Sequence, residues 1–251
     1  MTIIIKVTIW NEFLHEKTDE RVKAIYPNGI HNELAAYLEQ FDDIEVKATT
    51  LDSENFGITD ELLDNTDVLI WWSHMEQDKV PDEIARKVAD RVLLGMGFIV
   101  LHSAHYSKPF RLLMGTTCSL RWREGDFERV WCVNPGHPIA KDIPACFELP
   151  NEEMYGEHFD IPQPDSVVFA GWFRGGELFR SGCCWNRGAG KVFYFQPGHE
   201  TNPVYKNPNV LTIIKNTVYW ATPCNKRTTL VRHHFDETTE QRYVKGLTET
   251  Y

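Results

Sequence analysis

The sequence has no block of basic residues and no long apolar run. Its 251 residues carry a formal net charge of -10, which would repel phosphate backbones and anionic lipid. Residues 1–10 are apolar but lack a basic leader and a small-residue cleavage site, so they predict a strand and not a signal peptide. We therefore expect a cytoplasmic protein that has neither nucleic acid nor a membrane as a partner.

The chain also lacks paired cysteines. Its six cysteines are scattered, and no Cys-x-x-Cys pair occurs. A chain of this length with 42% hydrophobic residues can bury a full core without disulfides. Neighbouring residues in a strand point to opposite faces, so Cys183 and Cys184 would not form a redox pair. We expect reduced thiols that pack in the interior.

No internal repeat and no long linker divides the chain. Apolar strands alternate with helices in the first part, and this order predicts an α/β fold with a mainly parallel sheet flanked by helices. Shorter strands separated by Gly and Pro follow from about residue 121 and predict an antiparallel excursion. We expect one domain over residues 1–251, with 225–251 as a C-terminal arm. The predicted strands are Ile3–Trp10, Glu45–Thr49, Asp67–Trp72, Phe98–Leu101, Glu128–Val133, Val167–Trp172, Leu178–Cys184 and Lys191–Gln196.

Histidines follow several of these strands directly. Loops at the carboxyl ends of parallel strands meet at one edge of the sheet, where ligands bind in open α/β folds. Imidazole serves there as a general acid or base, or as a metal ligand. These histidines are His15 after the first strand, His74 after the third, His102 and His105 after the fourth, and His199 after the last, and all except His15 are expected in the site.

A carboxylate-rich segment, residues 151–158, lies in the region predicted to be irregular and could fold over the same edge. Because it also carries Met154 and Tyr155, which favour burial, we expect Glu153 or Glu157 to face the site. Such glutamates could bind a metal with the histidines, carry protons or bind sugar hydroxyls. Trp72, next to Ser73 and His74, is placed to stack on a sugar ring.

Five segments resemble the trehalose-utilisation ThuA family, a branch of the class I glutamine-amidotransferase-like, flavodoxin-like fold. They are Trp10–Glu12, Trp71–His74, Gly95–Ser103, Glu153–Glu157 and Pro197–Glu200, and they extend from the first strand to the last. The resemblance places His102 where true amidotransferases have their nucleophilic cysteine. It places His199, with Glu200 beside it, at the late-strand histidine, although the family pattern sets the glutamate one position further on. A cysteine thioester mechanism is therefore not expected.

The resemblance implies a role in the catabolism of a disaccharide or an oxidised keto-sugar made by a partner dehydrogenase. The chemistry that fits is proton transfer next to a carbonyl by an isomerase, lyase or hydrolase, with His102 and His199 as acid and base and Glu153 or Glu157 orienting one of them. A zinc or manganese ion bound by His102, His199 and Glu153 is an alternative way to polarise the carbonyl. We expect the substrate to contact Trp72, His74, His105, Tyr155 and Glu200.

Two other readings remain open. The chain could be a non-catalytic sugar-binding or regulatory protein that kept the pocket after losing the amidotransferase cysteine. It could also be an amidase in which Ser103 replaces that cysteine, which predicts ammonia release and inactivation by Ser103→Ala. Surface aromatic residues and the polar tail favour a homo-oligomer.

Overall fold

A computed structural model describes residues 4–230, 234 and 236–246. Within these residues, nine strands form one sheet in the order β2-β1-β3-β4-β9-β8-β7-β5-β6. The strands are β1 (Ile5–Asn11), β2 (Ile44–Thr50), β3 (Val68–Trp72), β4 (Gly97–Leu101), β5 (Arg121–Cys132), β6 (Cys146–Gly156), β7 (Ser166–Phe173), β8 (Leu178–Arg187) and β9 (Gly190–Phe195). The helices are α1 (His15–Thr18), α2 (Glu20–Ile25), α3 (Ile30–Leu38), α4 (Asp60–Asp64), α5 (Asp82–Leu94), α6 (Lys108–Met114), α7 (Pro208–Ala221) and α8 (Thr239–Val244).

The first half of the sheet is parallel. Strands β2, β1, β3, β4 and β9 pair in parallel, as the alternation of strands and helices predicts. Every residue of β3 and β4 is buried because helices cover both faces. Side chains of β3 alternate between two cores, with Ile70 packing on the side of α3 and α7 and Leu69 on the side of α4 and α5. The predicted α/β architecture is confirmed.

The second half of the sheet is antiparallel. Strands β9, β8, β7, β5 and β6 pair in antiparallel fashion, which confirms the predicted excursion. The acidic segment is not irregular as predicted, since β6 continues to Gly156. Pro150 lies inside this strand. The strand tolerates it because β6 is the edge of the sheet, where the partner on one side is missing.

The chain after α7 is only partly described. Of the predicted arm, the structure covers 225–230, 234 and 236–246, and Ile3 at the start of the first predicted strand lies outside the described residues. The backbone N–H of Arg227 donates to the carbonyl of Leu94 over 2.7 Å, so the beginning of this segment packs on the end of α5. No described helix is long and apolar enough to cross a lipid bilayer.

Candidate functional site

Imidazoles from four parallel strands come together at the carboxyl edge of the sheet. His15 follows β1, His74 follows β3, His102 follows β4 and His199 follows β9. The ring centre of His74 lies 5.2 Å from that of His15, 5.8 Å from that of His199 and 6.4 Å from that of His102. The parallel arrangement thus places four histidines in one cluster.

His102 occupies a tight turn directly after β4. Its backbone has a φ of 52°, which is rare for a residue with a side chain. The ring is fully buried and stacks on Tyr155, with the centres 5.1 Å apart and the planes 11° apart. Nδ1 donates to the carbonyl of Gln196 over 2.8 Å, because a carbonyl can only accept. Nε2 is left to face the carboxylate of Glu153, whose Oε2 lies 3.1 Å away.

His102 and Glu153 form a buried ion pair. Burial lowers the pKa of His102, but the carboxylates of Glu153 and Glu152 outweigh it and raise this pKa to about 9. Burial also raises the pKa of Glu153, but the close contact with the charged ring of His102 outweighs that effect and lowers it. Neither Nε2 nor Oε2 has a well-aligned hydrogen bond within the described residues, so their contact is mainly electrostatic. Both groups are charged at neutral pH.

His199 is the neutral partner in the cluster. Nδ1 accepts from the backbone N–H of Thr201 over 3.3 Å and contacts its hydroxyl over 2.7 Å. Because Nδ1 accepts, the ring proton lies on Nε2. Burial lowers the pKa of His199 to about 4, and the positive charge of His102 adds to this effect. The ring is therefore uncharged at neutral pH.

Glu200 is a buried carboxylate surrounded by histidines. Its Oε1 lies 2.6 Å from Nδ1 of His15 and 3.0 Å from Nδ1 of His74, while Oε2 lies 3.8 Å from Nδ1 of His199. Burial raises the pKa of Glu200, but the close contacts of His15 and His74 with its carboxylate outweigh that effect, so this pKa is strongly lowered. His15 was identified in the sequence as a histidine that follows the first strand, but it was not among the expected site residues, and the structure brings it into the cluster.

Two further buried glutamates, Glu12 and Glu152, hold the loops that carry the histidines. They were not among the site residues expected from the sequence. Glu12 accepts hydrogen bonds from the backbone N–H groups of three successive residues after β3, at 2.8 to 2.9 Å. Glu152 accepts from the backbone of Gly198 at 2.9 Å and of His199 at 3.1 Å. Strand alternation explains why Glu152 points away from its neighbour Glu153. These carboxylates fix the positions of the functional side chains.

A cleft of about 600 Å³ opens beside the cluster. His102, His199 and Glu200 do not line it, whereas Glu153 does. His105 also reaches the cleft, and its Nδ1 donates to the carbonyl of Cys118 over 2.7 Å. Burial lowers the pKa of His105 to about 4, so its Nε2 carries a free lone pair at neutral pH. The residues that line the cleft and enter the argument below are His74, Ser103, His105, Trp122, Glu153 and Tyr155.

Glu157 and Trp72 lie away from the positions expected for them. The carboxylate of Glu157 pairs with Arg180 at 2.7 and 2.8 Å and accepts from the backbone N–H of Phe159 at 2.8 Å, so it is occupied by structural contacts. The indole of Trp72 is buried in the core, and its Nε1 donates to the carbonyl of Gly198 over 3.2 Å. Trp72 therefore supports the loop of His199 and has no face free for a sugar.

The geometry does not provide an amidotransferase nucleophile. All six cysteines lie within the described residues, and none lines the cleft. The hydroxyl of Ser103 lines it but donates to the carbonyl of Ser73 over 2.8 Å, so it faces no general base. The strained turn position belongs to His102.

Glu200 belongs to both groups of side chains that could bind a metal ion. Among the described residues, two groups of three side chains have ligand atoms within 4.8 Å of one another. One group is His15, His74 and Glu200, and the other is His102, His199 and Glu200. Glu153, which we expected as a ligand with His102 and His199, is in neither group.

Known proteins identify the family. The model of the family described as trehalose utilisation, ThuA, matches residues 6–221. The chain belongs to the ThuA family. A ThuA-like protein of Parabacteroides merdae ATCC 43184 superimposes with a TM-score of 0.64 at 13% identity, over 91% of this chain and 93% of that one. A cytoplasmic protein of Salmonella typhimurium LT2 superimposes with a TM-score of 0.59 at 14% identity, over 87% of this chain and 100% of that one.

A glutamine amidotransferase of Thermotoga maritima gives a TM-score of 0.50 at 9% identity, over 85% of this chain and 98% of that one. At these identities the solved structures show the fold alone, a large mixed sheet shared by ThuA-like proteins and amidotransferases. No curated protein matches the sequence. Membership of the ThuA family indicates a carbohydrate-related role.

Proposed function

We propose that this ThuA-family protein transfers a proton next to the carbonyl group of a keto-sugar or keto-disaccharide. The observation that supports this most is the buried ion pair of His102 and Glu153 at the cleft. Glu153 lines the cleft, is ionised at neutral pH and has a lone pair to accept a proton. His102 does not line the cleft, so it acts as a positioning residue that fixes and charges Glu153.

This assignment exchanges the roles expected from the sequence, where histidines were the acid and base and a glutamate oriented one of them. Glu153 takes the proton from the carbon beside the carbonyl, and the C–H electron pair forms the carbon–carbon double bond of an enolate. The carbonyl electrons move to oxygen. For an isomerisation, the hydroxyl proton on the α-carbon moves to the enolate oxygen through an enediol, the α-oxygen becomes the new carbonyl, and Glu153 returns its proton to the former carbonyl carbon. For an elimination, the carbonyl re-forms and a leaving group departs from the β-carbon with its bonding electron pair, while Glu153 keeps the proton until it is released to water.

Tyr155 is the residue to which we assign stabilisation of the enolate oxygen. Burial and the neighbouring carboxylate of Glu153 raise the pKa of its hydroxyl well above the usual value, so the hydroxyl stays protonated. A protonated phenol beside an ionised carboxylate offers one donor and one base at the same cleft. That pairing is what proton transfer next to a carbonyl requires.

Aromatic side chains at the mouth of the cleft favour a sugar ring as the ligand. Trp122 is 63% exposed on β5, and Tyr106 is exposed after β4. Flat apolar faces at the border of a polar cleft stack on the C–H faces of sugars. Trp122 thus takes the stacking role that the sequence assigned to Trp72.

The test is turnover of a keto-disaccharide, prepared from trehalose with a sugar dehydrogenase, in deuterated water. Wild type is expected to exchange the proton beside the carbonyl, and Glu153→Gln to lose about 10²- to 10⁴-fold in rate while still binding the sugar. Glu83→Gln, which changes an exposed carboxylate on α5, is the matched control. Binding without exchange in wild type would contradict the proposal and support a sugar-binding or regulatory protein.

A further inference from the structure

Glu200 has an unusual environment for a buried acid. It is 3% exposed, and its ion pairs within the described residues are all with histidines, not with lysine or arginine. A buried carboxylate is costly unless it is neutralised. The three surrounding imidazoles are side chains that bind divalent transition metals when neutral. This environment suits an ion shared by the carboxylate and the histidines.

Glu200 is close to its histidines, and among the described residues one of these contacts is a well-aligned hydrogen bond, between Nδ1 of His74 and Oε1 over 3.0 Å. Nδ1 of His15 lies 2.6 Å from Oε1 and yet has no hydrogen-bond partner in the described part of the chain. Oε2 of Glu200 is buried without a partner as well. Ligand atoms of His15, His74 and Glu200 lie within 4.8 Å of one another. A converging set in which Nδ1 of His15 and Oε2 of Glu200 lack hydrogen-bond partners among the described residues fits ligands about 2.0 to 2.2 Å from one central ion.

From these observations we propose that His15, His74 and Glu200 form a site for a divalent transition metal ion of the zinc type. Two histidines and one glutamate are a ligand set of catalytic zinc sites, which keep a further position open. His15 and His74 are 22% and 24% exposed, so an ion can enter and water or a substrate oxygen can complete its coordination.

The second group around Glu200 is less suitable. Nδ1 of His199 already accepts from Thr201, which leaves the ring proton on Nε2. Nε2 of His102 faces Glu153 at 3.1 Å, and the ring of His102 is fully buried, whereas His15 and His74 are partly exposed. We therefore assign the ion to the group of His15, His74 and Glu200 and not to the group of His102, His199 and Glu200.

The loops that carry two of the ligands are held independently of any ion. Glu12 accepts three backbone N–H groups from the residues that begin with His74. Glu152 accepts the N–H groups of Gly198 and His199, directly before Glu200. Because such outer contacts already fix the ligands, metal binding does not carry the entropic cost of ordering these loops.

A metal ion at this site would take part in the proposed proton transfer, but metal binding itself does not depend on the proposed function. His74 lines the cleft that Glu153 also lines, so an ion held by His74 would lie beside the same space. A bound ion supplies Lewis-acid polarisation of a carbonyl oxygen. Only this catalytic role, and not metal binding, rests on proton transfer by Glu153.

The experiment is zinc binding by full-length protein that has been stripped with a chelator, measured by titration calorimetry and elemental analysis. Wild type is expected to bind about one equivalent of zinc, and His15→Ala and Glu200→Gln to bind at least about 100-fold more weakly. His234→Ala, which removes an exposed histidine, is the control and keeps wild-type affinity. Circular dichroism checks that His15→Ala, a change at a partly exposed residue, is folded.

Three results would overturn the site: no zinc binding by wild type, wild-type affinity in His15→Ala, or a loss of affinity in His199→Ala that exceeds the loss in His15→Ala. Failure of the proposed function is distinguishable. Zinc bound as expected without proton exchange rejects the function and leaves the site. Exchange that depends on Glu153 in protein that binds no zinc rejects the site and leaves the function.

Discussion

The parallel and antiparallel halves of the sheet contribute different chemistry to one site. The parallel half supplies the four clustered imidazoles and Glu200, all in loops that follow its strands. The antiparallel half supplies Glu152, Glu153 and Tyr155 from β6 and Trp122 from β5. Loops after parallel strands collect side chains at one edge, whereas an edge strand presents alternate residues to that edge. The candidate base and the candidate metal ligands therefore come from different halves.

Contacts across the border between the halves join them into one site. His102 of the parallel half pairs with Glu153 of the antiparallel half, and Glu152 holds the backbone of Gly198 and His199. The group of His15, His74 and Glu200 has no member from the antiparallel half. The two halves should accordingly respond differently to substitution.

The largest effect is expected from breaking the pair that crosses the border. His102→Ala or Glu153→Ala leaves an uncompensated buried charge, so each is expected to lower the free energy of unfolding by about 3–5 kcal/mol. The double variant should lose clearly less than the sum, because the pair interacts directly. Urea unfolding of all four proteins measures this coupling, and strictly additive losses would show that the halves are energetically independent here.

A smaller effect is expected from His105, a buried neutral histidine that faces the cleft. Its folded pKa of about 4 lies below the ordinary value of 6.5, so the unfolded chain binds a proton that the folded chain does not between these values. Stability contributed by His105 is therefore lost as the pH falls from about 6.5 to 4, by about 3 kcal/mol at most. The measurement is urea unfolding at several pH values for wild type and for His105→Asn, which retains a donor for the carbonyl of Cys118. An unchanged slope in the variant would contradict this account.

The smallest change in the free energy of unfolding is expected for Trp122 at the mouth of the cleft. Trp122→Ala removes an exposed side chain and should change the free energy of unfolding by less than about 0.5 kcal/mol. It should nevertheless weaken binding of a keto-disaccharide about 10-fold, because the stacking face is lost. Calorimetry of both proteins tests this, with Trp131→Ala, an exposed tryptophan that does not line the cleft, as the control. Equal affinities in all three proteins would remove Trp122 from the sugar site.

The parallel half could be predicted closely, and the antiparallel half only in outline. Strands buried on both faces are continuous apolar runs, such as residues 68–72, and these are visible without any structure. Edge strands are mixed in polarity, so the proline and glutamates of β6 predict an irregular segment where the structure has a strand. The error matters because the period of two along β6 is what separates Glu152, a loop anchor, from Glu153, a cleft residue.

Sequence by itself determined which residues are available for chemistry and near which edge they lie. Strand ends followed by His74, His102, His105 and His199, together with the ThuA-like segments, specified the fold and the side of the sheet that carries the cluster. Only the tertiary structure decided which of these groups are charged, which reach the cleft and which partners they have. Protonation and access depend on distances between residues that are far apart in the chain, such as His102 and Glu153 or His15 and Glu200. No local pattern encodes such distances, because they arise from the packing of the two halves against each other.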